Sequence, residues 1–60
     1  MTSKELLSLL KDDGWFKKSQ RGSHLQLMHP TKEGKVTVPM HKGEVKPGTL
    51  HSILKQAGLK

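Results

Sequence analysis

Apolar and polar positions alternate along this chain with two different periods. Leu6, Leu9 and Leu10 recur at helical spacing, and Leu7 widens their stripe. Thr2 and Glu5 stand ahead of them as a capping-box pair, with Thr2 at the N-cap. Gly14 follows Asp12 and Asp13 and supplies the left-handed residue that ends the helix. Trp15 to Gln20 then reads as a strand. Trp15 and Phe16 are neighbours, so they point to opposite faces; one enters the core, and the other covers an edge or stacks on a base or partner. His24 to His29 alternates and is closed by Pro30, with Leu25 and Leu27 on one face and His24, Gln26 and Met28 on the other. Lys35 to His41 alternates again, with Val36, Val38 and Met40 together. Pro39 has no N–H to give a ladder and points to an edge strand or to a position whose nitrogen faces outward. Lys42 to Lys46 is a loop. Pro47-Gly48-Thr49 opens a last helix with the stripe Leu50, Ile53, Leu54 and Ala57, and Gly58 ends it.

The element order is helix, three strands, helix. A three-stranded antiparallel sheet with both helices on its apolar face buries every stripe, so the chain is an α+β protein and residues 1–60 form a single domain. Centring the loop Thr31-Lys32-Glu33-Gly34 between Lys32 and Glu33 sets Leu27 against Val38, Leu25 against Met40, and His24 against His41. On that register the two histidines share the wet face of the sheet.

Composition narrows the partners. Eleven basic residues against five acidic ones give a net charge of +6 on 60 residues, a dense positive field that favours polyanions. Nucleic acid is the first candidate. An anionic membrane surface is the second, but it needs a basic amphipathic helix, and Lys4, Lys11 and Lys55 are too sparse to make one. There is no cysteine, hence neither a disulfide nor a thiolate ligand, which fits the cytoplasm. No signal peptide and no transmembrane stretch stand out.

Chemistry concentrates at Arg21-Gly22-Ser23-His24, where a glycine turn delivers a histidine to a strand start beside Lys17 and Lys18. A neutral imidazole there can take the proton from an RNA 2′-hydroxyl, with Arg21 or a lysine steadying the charged phosphorus and no metal or cofactor required. His41, opposite on the assumed register, could protonate the leaving oxygen. Judged on spacing alone, His24 is more simply an ordinary surface histidine. His24, His29, His41 and His51 lack the short spacings of a zinc site. Ser23 and His24 are adjacent and point apart, which argues against a serine hydrolase. The free N–H groups from Gly48 to Leu50, with Lys46 just before them, offer a phosphate cradle.

Gly14-Trp15, Gly22-Ser23-His24, His29-Pro30, Val36 to His41, Lys46 to Leu50 and Ile53 to Gly58 together resemble the HicA toxin family of bacterial toxin–antitoxin systems, over nearly the whole chain. The resemblance implies a fold like that of double-stranded-RNA-binding domains, α-β-β-β-α. It implies an mRNA interferase that cuts RNA and arrests translation. It implies that the functional histidine is His24, and that a HicB antitoxin binds the toxin and masks its active surface. Lys17, Lys18, Arg21, Gly22, Ser23, His41 and Lys46 are then the candidates for RNA contact. Family members often carry an arginine five residues before the motif histidine; here Ser19 stands there.

Two other function classes fit the same residues. A non-catalytic module reading double-stranded RNA by shape and charge would bind in a salt-dependent way and cut nothing. A basic face built for an acidic protein partner would bind protein and show no RNA affinity.

Overall fold

The computed structural model describes residues 1–60. Helix α1 spans Ser3–Asp12 and starts at the expected capping box: the Glu5 N–H donates to Thr2 Oγ1 at 3.1 Å, and the Thr2 N–H donates to Glu5 Oε1 at 2.9 Å. Leu6 and Leu10 are fully buried, whereas Leu9 is 38% exposed and Leu7 packs on the core in its place. The buried stripe is therefore narrower than the leucine run suggests. Asp13 caps the helix, and Gly14 turns the chain away at a φ of +107°.

Strands β1 (Phe16–Arg21), β2 (His24–Met28) and β3 (Val36–Pro39) form one antiparallel sheet in the order β1-β2-β3. Helix α2 spans Pro47–Gln56 with proline in its first turn. Both helices lie on the face that carries Leu25, Leu27, Val36 and Val38. There Leu6, Leu10, Ile53, Ala57 and Val45 complete one core. Trp15 lies just before β1 and enters that core at 2% exposure; Phe16 is 49% exposed on the opposite side. β3 is an edge strand, which explains how Pro39 is tolerated in it. β1 is the other edge, and all six of its residues are exposed. Its register slips between Lys17 and Ser19, and a bulge with lysines beside it is an ordinary way to keep an edge from pairing with another chain.

The β2–β3 register differs from the expected one by two residues. Leu27 faces Val36, Leu25 faces Val38, and His24 faces Pro39 rather than His41. The connection is not a short hairpin loop centred on Lys32 and Glu33, because Lys32 is committed elsewhere. Its Nζ donates to Asp13 Oδ2 at 2.5 Å and to the Ala57 carbonyl, at the end of α2, at 2.9 Å. The turn also wraps the His29 ring, whose Nδ1 accepts the N–H groups of Thr31 and Lys32, each at 3.1 Å. A shift of two preserves which side chains face the core, so the apolar set is unaffected.

Candidate active site

The tight turn at the head of the sheet places the motif histidine. Arg21 pairs with His24, leaving Gly22 and Ser23 as a two-residue loop. Gly22 sits at a φ of +55° and Ser23 at a negative φ, the pattern of a type II′ hairpin turn, in which the first position favours glycine. A cross-strand pair shares one face, so Arg21 and His24 project together on the side of the sheet away from the helices.

Beyond β3 the chain closes a cleft around His24. The Met40 N–H donates to the Ser23 carbonyl, which continues the ladder for one residue past Pro39. The segment then turns, and the cleft of about 420 Å³ has His24 and Pro39 on the sheet side, His41, Glu44 and Val45 along the connecting segment, and Lys46 and Thr49 at the start of α2. His24, His41 and Lys46 thus meet there, although they lie on three different parts of the chain. His41 reaches His24 through this segment and not through the strand pairing.

Two long-range anchors hold the connecting segment. Ser3, buried at 4% exposure, directs its hydroxyl to the Pro39 carbonyl at 2.5 Å, with a longer contact of 3.5 Å to the His41 carbonyl. At the far end Thr2 bridges Glu44, and the Val45 N–H donates to the Met1 carbonyl at 2.8 Å. The Glu44 carboxylate pairs with the α-ammonium of Met1. That hydrogen bond raises the α-ammonium above its ordinary value and ties the one carboxylate of the cleft to the chain start. Nothing in the local sequence signals Ser3, because its partners lie 36 and 38 residues away.

The remaining candidates fall in three places. Arg21 stands directly across from His24, and Gly22 and Ser23 form the turn. Lys17 pairs with the core-facing Leu27, so it projects on the opposite side of the sheet from His24; Lys18 falls at the bulge. Ser19 shares the His24 face and donates its hydroxyl to Gln26 Oε1 at 3.3 Å. At the start of α2, Lys46 is the N-cap and no side chain caps the helix. The Leu50 N–H already donates to the Lys46 carbonyl at 2.8 Å, so the expected cradle shrinks to the N–H groups of Gly48 and Thr49.

The other histidines have different surroundings. His29 Nε2 donates to the Asp13 carbonyl at 2.7 Å while Nδ1 accepts from Thr31 and Lys32, so both ring nitrogens serve the fold. His51 is exposed on α2 outside the cleft. No three histidine, aspartate or glutamate side chains gather where they could hold a metal ion. No helix is long and apolar enough to cross a membrane.

A family model for the HicA toxin of bacterial toxin–antitoxin systems matches residues 3–59. A solved chain from a toxin–antitoxin complex of Streptococcus pneumoniae superposes with a TM-score of 0.84 and 38% sequence identity, covering 98% of this chain and 98% of that one. No curated protein matches the sequence.

Proposed function

The chain belongs to the HicA family, the toxin components of bacterial toxin–antitoxin pairs, and from that premise we propose that it is a metal-independent endoribonuclease acting on mRNA in the cytoplasm, with His24 as its proton acceptor and a HicB-like antitoxin as its inhibitor. The observation that carries this reading is the meeting of His24, His41 and Lys46 in one cleft on a chain of net charge +6. Phosphate is drawn to that end of the molecule by Arg21, Lys46 and the uncapped N–H groups of Gly48 and Thr49. His24 lies on the exposed face, free of the core, where it takes the proton from the 2′-hydroxyl. The 2′-oxygen attacks the adjacent phosphorus, and the cations offset the charge that builds there. The products are a 2′,3′-cyclic phosphate and a 5′-hydroxyl end. An antitoxin strand or loop that fills the cleft shuts off this chemistry and, by binding only the folded toxin, also stabilises a small domain.

The test is digestion of RNA in EDTA by the wild type and by His24→Ala, with circular dichroism showing both folded. Cleavage by the wild type alone, leaving cyclic phosphate ends, is the expected result. Equal cleavage by both moves the active site away from His24. RNA binding without cleavage by either protein makes the chain a non-catalytic RNA-binding module.

A further inference from the structure

We propose that His41 is the second proton-transfer group of the cleft, delivering a proton to the departing 5′-oxygen, and that the buried hydroxyl of Ser3 is the residue that positions it. The proposal rests on the nuclease reading above. His24 faces Pro39 across the sheet, yet His41 still lines the same cleft of about 420 Å³. Beyond the Met40 ladder bond the residues belong to neither sheet nor helix up to the bridge at Glu44, and an irregular segment of that kind holds one position only when something pins it. Ser3 does so near His41. It is the only buried polar residue of the chain, and its hydroxyl is spent on the carbonyls of Pro39 and His41 rather than on the helix it begins. The Thr2–Glu44 bridge fixes the other end.

The ring of His41 presents a single nitrogen for proton transfer. Its Nδ1 lies 3.1 Å from the Lys42 carbonyl. A carbonyl only accepts, so Nδ1 carries a hydrogen and Nε2 is the nitrogen left to exchange a proton. In the imidazolium both nitrogens carry hydrogen. Loss of the Nε2 proton leaves the Nδ1–H tautomer with its bond to Lys42 intact, so donation requires no rearrangement of the ring. The histidines then divide one reaction. The 2′-hydroxyl loses its proton to His24, the bond from the 2′-oxygen to phosphorus forms, and the bond from phosphorus to the 5′-oxygen breaks as that oxygen takes the Nε2 proton of His41. His24 ends protonated and His41 neutral, and exchange with water restores both. His29 cannot replace either one, because both its nitrogens are engaged in the fold.

The experiment separates an acid from a structural residue through the leaving group. The bond that the wild type cuts is mapped in a defined RNA oligonucleotide, and the same oligonucleotide is made with sulfur replacing the bridging 5′-oxygen at that bond. A thiolate departs without protonation. His41→Ala should slow cleavage of the oxygen substrate by about 100-fold or more, the low end of what one positioned acid contributes, and leave the sulfur substrate within a few-fold of wild type. His24→Ala should slow both. Ser3→Ala should show a smaller loss with the same preference for the oxygen substrate. Wild-type rates for His41→Ala on oxygen, or equal losses on both substrates, would overturn the role of His41. An equal loss on both substrates for Ser3→Ala would reduce that residue to a structural part. A wild type that cuts no RNA fails the nuclease reading itself, which is a different result from either of these patterns.

Discussion

The imidazole of His29 occupies the space a side chain on Gly14 would need. A Cβ built on Gly14 would lie 2.7 Å from His29 Nε2, and the backbone there sits at a φ of +107°. His29 also meets Trp15 edge to face, with ring centroids 5.2 Å apart. Gly14, Trp15 and His29 are therefore one unit, closing the end of α1 against the end of β2.

Gly14→Ala should destabilise the fold by about 2 kcal/mol, since both the left-handed backbone and the contact with His29 oppose the new methyl. In a domain of this size that lowers the melting temperature by on the order of 10 °C. His29→Ala removes the contact but leaves the backbone strain and frees the turn at Thr31 and Lys32. A thermal-melt double-mutant cycle should show non-additivity between the two positions, and strictly additive losses would refute the shared-space account.

Asp13 links acidity to stability. Its hydrogen bond from Lys32 holds the carboxyl below the ordinary carboxylate range, opposed by partial burial and aided by the Lys32 charge and the Trp15 indole N–H. A lowered folded value means this stabilisation is complete above the usual carboxylate range and disappears as pH falls through the value in the folded protein. Melting temperatures of the wild type and Asp13→Asn should differ at neutral pH and converge on acidification. A gap that stays constant with pH would argue against the link.

The cleft ranks the lysines. Lys46 lines it, whereas Lys17 projects from the other face of the sheet. Lys46→Ala should weaken RNA binding more than Lys17→Ala, measured by fluorescence anisotropy at two salt concentrations. The reverse order would place the RNA on the helix-side face of β1.

Ser19 shares the face of Arg21 and His24. Adding a cation with Ser19→Arg should tighten RNA binding and steepen its log–log salt dependence by about 0.7 for one added phosphate contact. An unchanged slope would show that phosphate does not pass over this part of β1.

Much of the candidate site was legible because it is local. The turn from Arg21 to His24 follows from a glycine between two strands, and the face that His24 takes follows from Leu25 and Leu27 beside it. His29 was the least legible histidine. Its ring bonds run to Asp13, Thr31 and Lys32, and the first of these lies 16 residues away. The register that would pair His24 with His41 does not occur, yet the two side chains line one cleft because the chain bends back after Pro39.

The sequence by itself determined the five elements, their order and the apolar sides of the helices, β2 and β3, because helical and strand periodicities are properties of neighbouring residues and survive an even slip in pairing; it left open whether Trp15 or Phe16 enters the core beside β1, whose six residues are all exposed. Tertiary structure decided the register and the cleft. Lys32 chose the β2–β3 turn by reaching the Asp13 carboxylate and the last turn of α2, and Ser3 fixed the His41 segment from 38 residues away. Such bonds form between groups that folding alone brings together, so no local pattern of residues encodes them.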